Sequence, residues 1–76
     1  MKLCNVLSVV PSNYRVTVSD YNSGKIYVDR KEVYEVFEKN DEQWHRYDRI
    51  GLKNFLVQKI MVGKVCGELI VEVLKP

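Results

Sequence analysis

The fold of this chain is decided by the stretch Asn54-Phe55-Leu56-Val57-Gln58-Lys59-Ile60-Met61-Val62, Gly63-Lys64-Val65-Cys66-Gly67, Glu68-Leu69-Ile70-Val71-Glu72-Val73-Leu74. Two β-branched runs flank a short connection that begins and ends with glycine, and this arrangement predicts a β-hairpin. No other part of the chain holds as many apolar side chains, so we expect the remaining elements to pack against this hairpin.

The second strand of the hairpin alternates clearly between apolar and polar positions. Leu69, Val71 and Val73 fall on one face, whereas Glu68 and Glu72 fall on the other. The apolar face is therefore predicted to meet the core.

The first strand of the hairpin does not alternate in this way, because either face would carry one polar residue. A bulge at Gln58 and Lys59 would instead turn Val57, Ile60 and Val62 inward. We favour the bulge, with strict alternation as the alternative.

Some apolar residues are left over once the core has been assigned, and they predict a contact surface. They are Phe55, Met61, Ile70 and Leu74. An open sheet also leaves two edge strands, and a small domain can pair one of them with another chain. A homodimer is therefore one expected assembly.

Residues 2–10 are predicted to form a short amphipathic helix. Leu3, Val6, Leu7 and Val10 have the spacing of one helical face, and Pro11 stops the helix. The valines also suit a strand, which is the alternative for this segment.

Residues 14–28 predict a further hairpin. Tyr14, Val16 and Val18 alternate with polar residues, the turn Asn22-Ser23-Gly24 follows, and residues 25–28 resume the alternation.

Residues 29–39 carry the pattern of a capped helix. Asp29 and Glu32 have the spacing of a capping box. An apolar helical face follows at Val33, Val36 and Phe37. The alternative is that the strand continues past Val28 and that only residues 32–39 are helical.

Together these elements predict a single α+β domain over residues 1–76. Its sheet is small, four-stranded and mostly antiparallel, consists of two hairpins, and carries one or two short helices packed on one face. Seventy-six residues hold only one core, and 46% hydrophobic with 29% charged residues is an ordinary globular composition. A formal charge of +2 is too small to indicate nucleic acid by itself.

The sequence offers no catalytic, metal or cofactor motif, so we expect a protein that is not an enzyme and binds no cofactor. Cys4 and Cys66 lack metal-ligand spacing and predict two small buried residues in a reducing host cytosol. A disulfide between them would require adjacent termini. His45 has no neighbouring nucleophile, and no apolar run is long enough for a membrane span.

The segment most informative about function is 41–53, which has no clean period and is long for a connection. Aromatic and cationic residues interleave within it, at Trp44, His45, Arg46, Tyr47 and Arg49. Such residues dominate protein interfaces, and they also stack on bases and hold phosphates. They are the predicted partner-binding residues, unless Trp44 and Tyr47 only cover one end of the core.

A second candidate surface is acidic and consists of Glu35, Glu38, Asp41 and Glu42. A run of this kind can mimic nucleic-acid phosphates toward a basic partner. A solvated helix face explains the same pattern.

Core and turn positions across most of the chain resemble those of small phage and prophage accessory proteins of Gram-positive bacteria. These positions are Leu7, Pro11-Ser12-Asn13, Val16-Thr17-Val18, Asp20, Ser23-Gly24-Lys25-Ile26, Val33, Val57, Ile60 and Gly67-Glu68-Leu69-Ile70-Val71-Glu72-Val73. The resemblance implies a context in which tiny single-domain proteins inhibit host defence, among them anti-CRISPR proteins and proteins that sequester nucleotide signals. It transfers no functional residue.

The sequence therefore leads to three functional hypotheses. The first is a non-enzymatic phage or mobile-element protein that binds and inhibits a host defence protein, such as a nuclease. The second is a nucleotide or nucleic-acid binding module, either a cyclic-nucleotide sponge or a single-strand binder, that uses the aromatic and arginine residues. The third is a structural homodimer.

Overall fold

A computed structural model describes residues 1–36 and 50–76 of the chain. Its elements are α1 (Leu3–Leu7), β1 (Arg15–Asp20), β2 (Ile26–Glu32), α2 (Val33–Val36), a 3-10 helix (Leu52–Asn54), β3 (Leu56–Val62) and β4 (Glu68–Leu74). The strands form one four-stranded sheet in the order β2-β1-β4-β3. The predicted α+β class with a mostly antiparallel sheet is confirmed.

The centre of the sheet is a parallel pair of strands, β1 and β4. Val16 lies beside Leu69 and Val18 lies beside Val71 in this pair. The two predicted hairpins are the antiparallel pairs β1–β2 and β3–β4, and they join through this central pair. Sequence alternation predicts the hairpins but not which of their strands become neighbours.

One face of the sheet carries the core. Val16, Val18, Val71 and Val73 are fully buried there. α1 packs on the same face and confirms the predicted N-terminal helix. The apolar residues predicted for this segment, Leu3, Val6, Leu7 and Val10, are all buried.

The N-terminus also pairs with β3, which the sequence did not predict. Lys2 forms an antiparallel bridge with Leu56. The Leu3 N–H donates to the Phe55 carbonyl at 2.9 Å, and the Val57 N–H donates to the Met1 carbonyl at 2.8 Å. These bonds fasten the start of α1 to the outer side of β3.

The capping box predicted at Asp29 and Glu32 is wrong, and the alternative of a strand that continues past Val28 is confirmed. β2 continues to Glu32, and α2 begins at Val33. Pairing with β1 keeps this segment extended. The Glu32 N–H donates to the Glu35 carboxylate at 3.0 Å. This is one of the two hydrogen bonds of a capping box, and it lies three residues after the predicted position. Residues 37–39 of the predicted helix lie outside the described residues.

The strict alternation predicted for residues 25–28 is also wrong. β2 pairs with β1 through two register shifts, one of them between Val18 and Ser19. Tyr27 consequently packs against the core, with its ring 5.4 Å from that of Phe55 in an edge-to-face contact. Ile26 is left 55% exposed.

The bulge predicted in β3 is confirmed. Val57 pairs with Val73 and Lys59 with Glu72, so the strand gains one residue between them. Ile60 and Val62 pair with core-face positions of β4, as expected, but they are 48% and 79% exposed. The prediction that both join the core is wrong, because β3 is an outer strand and the apolar cluster of the described residues does not extend over them.

The two cysteines are free thiols in different environments. Cys4 is partly buried against the core, whereas Cys66 is exposed in the β3–β4 connection. The prediction of two buried cysteines is therefore wrong for Cys66, because Cys66 and its neighbours Lys64 and Val65 are exposed to solvent. None of the described helices has the length and apolarity needed to cross a membrane.

The unusual backbone of Arg30 provides a test of the β2 geometry. Arg30 has a φ of 51° and Arg30→Gly should raise the free energy of unfolding by about 1 kcal/mol, because glycine adopts this conformation freely. The Arg30–Glu68 contact that would be lost is 4.0 Å long and its arginine is 66% exposed, so it contributes little. Urea unfolding measures the change.

Asp29→Gly is the matched control for this substitution. Asp29 is exposed in the same strand, and its φ is not positive. Glycine should therefore lower the free energy of unfolding there by roughly 0.5–1 kcal/mol. An equal loss in both variants would contradict the left-handed conformation of Arg30.

The first hairpin turn predicts a pH-dependent stability. The Ser23 and Asn22 N–H groups donate to the Asp20 carboxylate at 2.7 and 3.1 Å. Hydrogen bonds from the Ser23 backbone and side chain are the main causes that hold the pKa of Asp20 below its ordinary value of 3.8. A carboxyl group whose pKa is lower in the folded than in the unfolded state stabilises the protein at pH values above the unfolded-state pKa. This contribution disappears as the pH falls through the folded-state pKa.

Asp20→Asn should therefore lower the urea midpoint at pH 7. The difference from the wild type should shrink below about pH 4, the ordinary pKa of aspartate. A difference that is the same at pH 7 and at pH 2.5 would show that the charge of Asp20 is not its cause.

Candidate protein-binding surface

The predicted partner-binding residues lie outside the described residues. They are Trp44, His45, Arg46, Tyr47 and Arg49, and the acidic candidates Glu38, Asp41 and Glu42 lie in the same segment. The structure therefore neither assembles nor separates these side chains, and their roles stay predictions.

Glu35 is the described member of the acidic candidates. Its side chain is exposed at α2, and one carboxylate oxygen accepts the Glu32 N–H. The negative charge of Glu32 is the main cause of a raised pKa of the neighbouring Tyr34 phenol. Loss of solvent around the phenol and the charge of Glu35 raise this pKa further. The start of α2 is thus a locally negative surface, and Glu35 has a capping role there.

A candidate surface for a partner lies on the side of the sheet opposite the described helices. We call it the open face. The register places Met61 beside Ile70 and Leu56 beside Leu74, both pairs pointing away from the core valines of β4. None of these four side chains belongs to the core cluster of the described residues.

These four residues form a stripe along β3 and β4, which we call the open-face stripe. Between its two apolar pairs, Lys59 and Glu72 stand opposite each other across the strands. Leu56 is the most exposed of the four at 40%, and Met61, Ile70 and Leu74 are half-buried. The stripe therefore combines apolar contact area with a central pair of opposite charges.

The surroundings of the stripe are polar and of mixed charge. Thr17 and Ser19 of β1 lie beside Ile70 and Glu72, and Arg15 lies beside Glu68. An apolar centre with a polar rim is the usual composition of a protein interface. The glutamates make the same face unfavourable for a phosphate backbone.

Three of the four residues predicted as an apolar surface are therefore on the open face. Phe55 is not among them, and its assignment is wrong because its side chain is only 3% exposed. Its ring packs on Tyr27, and its carbonyl accepts the Leu3 N–H. Leu56 takes its place, because the register of β3 turns the next residue, Val57, toward the core and leaves Leu56 beside Leu74 on the open face.

A groove of about 640 Å³ lies at another part of the surface. Its lining residues are Lys25, Ile26, Tyr27, Ile50, Phe55 and Lys75. The Lys25 Nζ lies 5.7 Å from the centre of the Tyr27 ring. The groove thus offers two cations and an aromatic ring, a combination that suits a small anion with an aromatic group.

Sequence reasoning missed Lys75 and Ile50 as neighbours of the first hairpin. Lys75 lies just beyond β4 and Ile50 just before the 3-10 helix, so only the folded sheet brings them to Lys25. No local pattern marks either residue. The described residues contain no cluster of histidine, cysteine, aspartate or glutamate that could hold a metal ion.

Comparison with known proteins adds no relative from which a role could be transferred. No protein-family model, curated protein or solved structure matches the chain. The resemblance to phage accessory proteins therefore stays a prediction, and the candidate surfaces of the described residues are what bears on function.

Proposed function

We propose that this chain is a non-enzymatic protein of a phage or mobile element that binds and inhibits a host defence protein. The observation that carries the binding role is the open-face stripe, in which two apolar cross-strand pairs lie outside the core. Defence as the target rests on the resemblance to small phage proteins.

The physical reason for a protein partner is the chemistry of the stripe. Apolar area on a sheet face gains free energy when another protein excludes water from it. Methionine is enriched at interfaces, and Lys59 and Glu72 can satisfy each other when the face is covered. Trp44, Arg46, Tyr47 and Arg49 are the proposed additional anchors from the sequence.

Substitution on the open face tests this proposal. For a host protein that the tagged wild-type chain recovers from host lysate, Ile70→Glu should weaken binding by at least tenfold, because it places an unpaired charge in the apolar part of the interface. Phage plating on a host with the matching defence system should fall in parallel. Replacing Trp44, Arg46, Tyr47 and Arg49 by alanine tests the sequence-derived anchors separately.

Val9→Glu is the control for Ile70→Glu. Val9 is 79% exposed and follows α1, which packs on the opposite side of the sheet. The control should bind and inhibit as the wild type does. Full binding and inhibition by the folded Ile70→Glu variant would refute the open face as the interface, and binding unchanged in the alanine variant would refute the anchors.

The groove supports a second candidate function, the binding of a nucleotide. Lys25 and Lys75 would hold phosphate while the exposed part of Tyr27 would contact the base. This proposal differs from the first in needing no partner protein.

Thermal unfolding with cyclic nucleotides and short oligonucleotides tests the second candidate. Binding should raise the midpoint, the rise should shrink with salt, and Lys75→Gln should reduce it. Lys64→Gln is the control, because Lys64 is exposed in the β3–β4 connection away from the groove lining. A midpoint that no nucleotide changes would remove this candidate.

A further inference from the structure

The outer edge of β3 has backbone groups available for pairing with another strand. The Gly63 N–H donates to the Glu68 carbonyl at 2.8 Å, so these residues form a hydrogen-bonded pair. Such pairs alternate along an antiparallel ladder. The N–H and C=O groups of Ile60 and Val62 therefore point away from β4, and no described residue is seen to bond with them.

The first part of the same edge is already occupied. Met1 and Lys2 pair there with Val57 and Leu56. This pairing stops at Val57, one residue before the bulge. The open part of the edge is consequently the regular segment after the bulge, which carries Ile60, Met61 and Val62.

The opposite edge of the sheet is protected against pairing. β2 contains four consecutive charged residues, two register shifts and the left-handed Arg30. Charges and bulges of this kind discourage strand addition. β3 has Lys59 as its single charged residue, and its bulge precedes the open segment. The two edges therefore differ in their readiness to accept a strand.

We propose that β3 pairs antiparallel with β3 of a second copy of this chain, with Met61 on the twofold axis. In this register Ile60 lies opposite Val62 of the other copy, and Val62 lies opposite its Ile60. Both pairs exchange two backbone hydrogen bonds, so the edge gains four. The two Met61 side chains face each other on the open face.

A second copy fits because this register is self-complementary. Pairs of β-branched side chains stabilise antiparallel strands, and they cover the exposed Ile60 and Val62 on the core-face side. Lys59 lies opposite Gly63 of the other copy, so the lysines do not meet. Each outward group in the regular segment finds a donor or acceptor on the other copy.

The paired copies form one continuous eight-stranded sheet. Their open-face stripes then lie on the same side, joined at the two Met61 side chains. This inference is independent of the proposed function, because it rests on the strand edge and the exposed Ile60 and Val62, not on Ile70 or Leu74. A dimer would present two copies of the open-face stripe to a host protein.

Met61 opposes itself in this register, so complementary charges at that position provide the test. Sedimentation of the wild-type chain should give a mass that rises with concentration from 8.9 kDa toward twice that value. Met61→Lys and Met61→Glu should each remain monomeric because like charges meet on the axis. A 1:1 mixture of the two variants should restore the dimer.

Leu56→Lys is the matched control for these variants. Leu56 lies on the same strand and face, but its outer edge is occupied by Lys2. This variant should dimerise as the wild type does. In the wild type, amide exchange of Ile60 and Val62 should slow at least tenfold on dimerisation.

Two results would overturn the inference. One is a wild-type chain that remains monomeric up to millimolar concentration. The other is a Met61→Lys variant that dimerises as well as the wild type. Either result leaves the effect of Ile70→Glu on host-protein binding as a separate test, so a failed dimer and a failed partner surface can be told apart.

Discussion

The parallel contact between β1 and β4 is the constraint on which the rest of the structure depends. It places Val16 and Val18 beside the corresponding apolar positions of β4 and forms the fully buried centre of the core. The hairpins supply their own antiparallel bonds, but neither could bury an apolar face alone. Because β1 and β4 are inside, β2 and β3 become the edges, and α1 can pack only where the valines point.

This arrangement gives the sheet two unequal faces and two unequal edges. One face is covered by α1, α2 and the 3-10 helix, whose apolar residues share one cluster with the strands. The other face retains the open-face stripe. Among the described residues, Leu56 on this face and Ile60 and Val62 on β3 remain exposed, since they lie outside the core cluster that the described helices share.

Three candidate surfaces result from this arrangement of strands and helices. The stripe forms because the bulge in β3 keeps its outward side chains beside the outward side chains of β4. The open edge forms because β3 is an outer strand of the sheet. The groove near Lys25 has a third origin, since residues before β3 and after β4 line it together with the start of β2. Each surface favours a different kind of partner because its chemistry differs.

The sequence by itself determined the local elements, since their signals lie within a few residues. Helical spacing identified α1, alternation identified the hairpins, and the misplaced polar residue Gln58 identified the β3 bulge. The tertiary structure alone decided the β1–β4 pairing, the extension of β2 through Glu32, the burial of Phe55 and the exposure of Ile60 and Val62. These features depend on contacts between residues far apart in the chain, and side-chain periodicity specifies only which face a residue takes, not what will cover it.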